Sequence, residues 1–310
     1  MIKQDGSLWV TGSSYYGELG LGAGESIRTT FVQVFSAALT LNLTLTLTPR
    51  SPPPNPNLHQ VISADVVAVS TYESHTLVVK KDGSAWTTGS NNYRQLGLKN
   101  PPGARTKFEK VIDSGVVVVA TGKHHSMVIK LDGSLWAAGY NNKGQIGDGT
   151  KKNSDKFKQV MTSVTAVAAG HFHTLVVKTD GSLLATGDNQ HGQLGDGTNT
   201  DKTTFKEVIA SGVKDVAAGQ FHTVVVKTDG SLWATGRNAD GQLGDNSKTD
   251  RNAFKQVIAT GVKAVGTGRF HTMVVKTDGS LLGSGKNGDG QLGFSTQTHP
   301  QSFKKVRGSG

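Results

Sequence analysis

The chain has no cysteine, which rules out a disulfide framework, a thiolate metal site and a cysteine nucleophile. Methionine is scarce, at four residues, and aromatic residues make up only 6%. Apolar residues reach just 35%, which does not suit a bundle of long helices. No apolar run is long enough to span a bilayer as a helix. The most apolar stretch, Leu39 to Leu47, alternates with threonine and is too short. The opening residues, Met1-Ile2-Lys3-Gln4-Asp5-Gly6, lack the apolar core of a signal peptide. The absence of cysteine does not fix the compartment; without a signal peptide or a membrane-spanning stretch, the expectation is a soluble protein in the cytoplasm, with the nucleus as the alternative, and no membrane partner.

Glycine, in contrast, is abundant: forty residues, the composition of many short strands joined by tight turns. The tripeptide Asp-Gly-Ser starts at Asp5, Asp82, Asp132, Asp180, Asp229 and Asp278. After a first interval of 77 residues, the spacings are 50, 48, 49 and 49. Around Asp229 the full unit reads Val213 to Ala217, His222 to Lys227, Leu232 to Thr235 and Phe254 to Val257: four short β-rich runs. Asp-Gly between two such runs predicts a type I′ hairpin. The runs read Val-Val-Val rather than alternating, so both faces of each small sheet must be covered. Radially stacked sheets achieve this, and the sequence therefore predicts an all-β propeller of about six four-stranded antiparallel blades, the first incomplete.

The recurring strings are Ala-Gly-x-x-His-Thr, Asp-Gly-Ser-Leu-Trp-x-x-Gly and Asn-x-x-Gly-Gln-Leu-Gly. They lack the Trp-Asp of one propeller class and the Gly-Gly of another. Together they resemble the regulator-of-chromosome-condensation repeat family. The resemblance covers nearly the whole chain outside residues 35–60 and implies a propeller, with seven blades the family norm. It is specific for fold, while the family's functions differ widely. Six Asp-Gly-Ser turns are present, but the strand leading into His-Thr or His-Ser occurs only five times, before His75, His125, His173, His222 and His271. That count fits a fragment, a truncated gene product or a six-bladed ring with a gap. The whole chain, 1–310, is expected to be one propeller domain, with residues 35–60 a Leu/Thr- and Pro-rich insertion, disordered within the first repeat.

Comparing the repeats separates what serves the blade from what does not. The five repeating histidines are expected to bond a neighbouring backbone group rather than form a ring of metal ligands. Trp9, Trp86, Trp136 and Trp233 share a site with Leu184 and Leu282 and should fill space between blades. Lys3, Lys80, Lys130, Lys178, Lys227 and Lys276 precede each turn. They are expected to protect strand edges from pairing, with a basic ring facing an acidic partner or phosphate as the alternative. The acidic loops Asp196 to Asp201 and Asp245 to Asp250 look like half a calcium loop but lack its distal Glu, so turn chemistry is expected there.

Two sets of positions do vary. Between the Gly and the His lie Glu73-Ser74, Lys123-His124, His171-Phe172, Gln220-Phe221 and Arg269-Phe270. After the glycine that ends the Trp strand come Ser13, Ser90, Tyr140, Asp188, Arg237 and Lys286. This mixed aromatic and basic set is expected to form an exposed rim that binds protein partners. No nucleophile–base pair, phosphate loop, cofactor motif or metal cluster rises above the turn background, so the sequence points to a non-enzyme without a cofactor. The resemblance implies two partner classes, a small GTPase served by nucleotide exchange, or chromatin. The net charge of +10 leaves nucleic acid open, and a monomer is expected. The ultraviolet-sensing members carry a Trp where this chain has Glu73, Lys123, His171, Gln220 and Arg269, which excludes that role.

Overall fold

A computed structural model of the protein describes residues 65–99, 101–294 and 297–306, together with the paired strands Leu8–Val10 and His59–Ile62. Among these residues there is no helix, and none therefore long and apolar enough to cross a membrane. Five four-stranded antiparallel sheets follow one another in chain order, each an uninterrupted meander.

Blade one comprises Val66–Tyr72, His75–Lys80, Ala85–Gly89 and Arg105–Ile112. Blade two comprises Val116–Thr121, His125–Lys130, Leu135–Gly139 and Ser154–Met161. Blade three comprises Val164–Ala169, His173–Lys178, Leu183–Gly187 and Lys202–Ile209. Blade four comprises Val213–Ala218, His222–Lys227, Leu232–Gly236 and Arg251–Ile258, and blade five Val262–Thr267, His271–Lys276, Leu281–Gly285 and Lys304–Lys305. In blades two to five the first strand packs on the first two strands of the blade before it, the stacking of a propeller.

Leu8–Val10 pairs with His59–Ile62, setting Trp9 opposite Gln60. This is the register of Trp233 opposite Gln256 in blade four. The strand His59–Ile62 takes in the last two residues of the segment 35–60. The rest of that segment, with Ser13 and Lys3, lies outside the described residues.

The apolar clusters bridge blades rather than filling them. One joins Leu175, Leu183 and Leu194 of blade three to Val213, Val216 and Val225 of blade four, with Trp233 packed against it. The five leading residues of the second strand are fully buried in blades one to four, as expected for a strand covered on both faces. Trp136 packs likewise on the cluster shared by blades one and two.

The hairpin expectation needs correction. Gly83, Gly133, Gly181, Gly230 and Gly279 have φ between 76° and 82°, but the preceding aspartates do not adopt positive φ. Lys80 N–H donates to Ser84 O and Gly83 N–H to Lys80 O, which makes a three-residue loop with a glycine bulge. Asp82 Oδ1 accepts the Ser84 N–H at 2.8 Å, so the aspartate bonds its own turn instead of entering left-handed space.

The lysine expectation is also corrected. The lysine-bearing strand is second of four in its sheet, not an edge. Lys80, Lys130 and Lys227 instead place their ammonium groups 4.9, 4.5 and 4.6 Å from the ring centroids of Trp86, Trp136 and Trp233. Each tryptophan Nε1–H is fixed by the serine of the turn, as Trp136 is by Ser134 Oγ at 2.8 Å.

Candidate functional site: the variable-loop face

The repeating histidine anchors the loops of this face. In blades two to five its imidazole packs closely against the glycine three residues earlier: a Cβ on Gly170 would stand 2.1 Å from His173 Cε1. The partner is not the backbone group expected but a hydroxyl of the next blade. His75, His125, His173 and His222 bring Nε2 to within 2.9, 3.0, 3.3 and 3.1 Å of Ser126, Thr174, Thr223 and Thr272. Each hydroxyl donates onward to a glutamine carbonyl: those of Gln95, Gln145, Gln193 and Gln242. The hydroxyl proton being committed, Nε2 must carry the imidazole proton. Burial holds His75, His173 and His222 at about 3, so all three are neutral clamps between blades.

Two sets of backbone bonds then gather the variable residues. Within each blade the residue after the Trp-strand glycine donates to the residue before the histidine. Thus Tyr140 N–H reaches His124 O, Asp188 reaches Phe172 O, Arg237 reaches Phe221 O and Lys286 reaches Phe270 O, all at 2.8 Å. Between blades, Lys123 N–H donates to His171 O, His171 N–H to Gln220 O, and Gln220 N–H to Arg269 O. The two variable sets therefore lie side by side in every described blade, at the end of the second strand opposite the lysines.

Their side chains form a continuous band. His124 stacks on Tyr93 (4.3 Å between centroids), Tyr93 meets Tyr140 edge-on (4.9 Å), and Tyr140 meets Phe172 (5.7 Å). Phe172 meets His171 (4.4 Å), His171 meets Phe221 (5.3 Å), and Phe221 meets His191 (5.1 Å). Phe270 extends the face as the hub of a cationic group, with Arg237, Arg269 and Lys286 at 4.8, 5.1 and 6.0 Å from its ring. Lys123 lies 5.9 Å from the Phe172 ring and 3.7 Å from the Glu73 carboxylate.

Three of the thirteen candidate residues lie beneath this surface rather than on it. His171 and Gln220 are 4% exposed and Asp188 is 3% exposed. His171 is held neutral, at about 3, by burial and by the nearby Lys123 charge. Gln220 Oε1 accepts the Arg269 Nε–H at 2.6 Å, and Asp188 accepts from Gln193 Nε2 at 2.7 Å and pairs with Lys143. These three support the face from below. Glu73, Lys123, His124, Phe172, Phe221, Arg269, Phe270, Tyr140, Arg237 and Lys286 reach solvent.

A third variable set was missed: Tyr93, Lys143, His191, Asp240 and Asp289, two residues before each Gln of the Gln-Leu-Gly or Gln-Ile-Gly string. Repeat comparison could have found it, since the blades differ there as much as at the other two sets. The acidic loops resolve as turns. Asp196 Oδ1 takes the Thr198 N–H and hydroxyl and the Asn189 amide, and Oδ2 takes Lys202 and Lys206. Burial raises Asp196, but these donors more than reverse it and hold the carboxyl well below the usual range. Its oxygens are thereby committed to protein donors. No group of three or more His, Asp or Glu among the described residues is placed to hold a metal.

A family model described as an RCC1-like domain matches residues 7–309. The chain belongs to the RCC1-like domain family. Solved structures of the same fold include human WBSCR16, at 23% identity over 79% of this chain and 68% of that one, TM-score 0.71. Prp20p from Saccharomyces cerevisiae, described with its binding to Gsp1p and histones, is 18% identical over 79% of this chain and 64% of that one, TM-score 0.70. Yeast RCC1 (Prp20) bound to Kap60 is 17% identical over 99% of this chain and 72% of that one, TM-score 0.78. The RCC1-like chain thus spans roughly two-thirds of these structures. No curated protein matches it in sequence.

Proposed function

We propose that this RCC1-like protein is a non-catalytic interaction scaffold that binds a protein partner through the variable-loop face. One observation carries the reading. The residues that differ between blades converge on one side in a band of touching aromatic rings edged by Arg237, Arg269 and Lys286. Aromatic and arginine side chains on a fixed backbone are the usual anchors of protein interfaces. The opposite end of the blades repeats the same Lys-x-Asp-Gly turn and offers little by which to tell partners apart.

Replacing Tyr140, Phe172, Phe221 and Phe270 by Ser should reduce partner capture by at least tenfold. Replacing Leu131 and Lys178 on the opposite rim should leave it unchanged. Equal loss, or no loss, in both sets would place the working surface elsewhere. Nucleotide exchange on a small GTPase is the second reading, supported by the fold shared with Prp20p, a protein described as binding Gsp1p. Stoichiometric protein should then accelerate nucleotide release from at least one member of a small-GTPase panel. An unchanged rate across the panel removes this reading and leaves the scaffold.

A further inference from the structure

At four of the five described blades the residue stacked beneath the histidine is a glycine: Gly122, Gly170, Gly219 and Gly268. Blade one has Tyr72 instead. The Tyr72 ring stands edge-on to His171 of blade three, 6.2 Å between centroids, and close enough to Arg269 of blade five to feel its charge. It therefore projects across the mouth of the central shaft. Beside it lies a cavity of about 410 Å³, walled by Thr71, Tyr72, Glu73 and Lys123 on one side and by Thr267 and Arg269, with small residues between, on the other. That volume suits a small organic group.

The chemistry of the walls is uneven. Two cations, Lys123 and Arg269, face a single acid, Glu73, which stands 3.7 Å from Lys123. Arg269 is pinned in one orientation because its Nε–H is spent on buried Gln220 at 2.6 Å. Its two terminal amino groups have no partner among the described residues. A guanidinium held by Nε with its terminal groups free presents a planar fork, which matches a carboxylate in geometry and charge. A phosphate dianion would add a second negative charge next to Glu73, against which the site offers no third cation.

We propose that the shaft mouth is a carboxylate-binding pocket in which Arg269 and Lys123 clamp one carboxylate against the wall formed by Tyr72. The carboxylate can come from a free small acid or from an acidic side chain presented by a protein. The site does not depend on the protein-binding reading, because free acids probe it with no partner present.

Calorimetric titration of the full chain with succinate, with inorganic phosphate and with a short glutamate-containing peptide tests the proposal. Succinate, the peptide or both should bind, and more tightly than phosphate; which of the two binds identifies the source. Arg269→Met and Lys123→Met should each weaken binding at least tenfold, and Arg269→Lys, which keeps the charge and loses the fork, should weaken it less. Glu73→Gln should tighten binding several-fold and admit phosphate. All three side chains reach solvent or the cavity, and unchanged melting curves verify that the four variants fold. Absence of binding by both carboxylate sources, preference of the wild-type protein for phosphate, or equal affinity in Arg269→Met would overturn the assignment.

Discussion

Asp215 is the exception in the first strand of the blades. The equivalent residues are Ala68, Val118, Ala166 and Ala264, each paired as Asp215 is with Val226. Ala68 and Ala166 pack against the apolar clusters between blades, so the acid occupies an apolar site. Burial raises its carboxyl to about 6, with the Val216 N–H and Lys214 opposing. The folded protein therefore holds this proton more tightly than the unfolded chain. The site is least costly below pH 4; its penalty grows as pH rises from about 4 to 6, then stays constant. Asp215→Ala should stabilise the protein at pH 8 by roughly 2–3 kcal/mol, about two pKa steps at ~1.4 kcal/mol each. The gain should vanish near pH 4, as read by urea denaturation at both values. The buried histidines act in the opposite direction. Their folded-state pKa lies below the unfolded one, so they lose stability as pH falls below 6.5 toward about 3. Comparing Asp215→Ala with wild type at each pH cancels that background. Asp215 was legible as an Asp in a run of Val and Ala, but its burial was not, because charge in a sequence does not say which face of a strand it occupies.

At the level of the element, the blade is a hydrogen-bonded unit that cannot be completed without its neighbour. Thr174 Oγ1 accepts a hydrogen bond from His125 Nε2–H and donates one to Gln145 O, tying blade three to blade two at two points. Thr174→Val should cost about 1–3 kcal/mol, because it strands a buried donor and a buried acceptor together. Adding His125→Leu should cost less than the sum of the single changes, and a double-mutant cycle measures the coupling. Strand positions, blade order and the tryptophan packing were all readable from the repeat, since each depends on local pattern. The turn type was not. Asp-Gly fits a two-residue and a three-residue loop equally well, and the choice is made by the Asp82 side chain bonding Ser84 N–H. The histidine's partner was unreadable for a similar reason: Thr174 lies 49 residues away, and only the stacking of blades brings it near.

Over the whole molecule the repeat makes stability a sum of neighbouring interfaces and leaves recognition to the residues that break the repeat. The formal charge of +10 adds a long-range term. If partners arrive on the cationic side of the face, association should slow several-fold as salt rises from about 50 to 300 mM, because screening shortens the reach of Arg237, Arg269 and Lys286. Stopped-flow rates check this, and salt-independent rates would show that the charge serves solubility alone. Two of the three variable sets were legible by comparing repeats; their meeting in one band was not, because side-chain contact between blades is a property of their stacking. The bonds running from Lys123 to His171, Gln220 and Arg269 use only main-chain atoms. Each reading position is therefore mounted on a frame indifferent to the letter it carries. Such a protein can change what it recognises by substitution alone, one blade at a time, without renegotiating its architecture, and for the same reason two members of the family can share every strand and no partner.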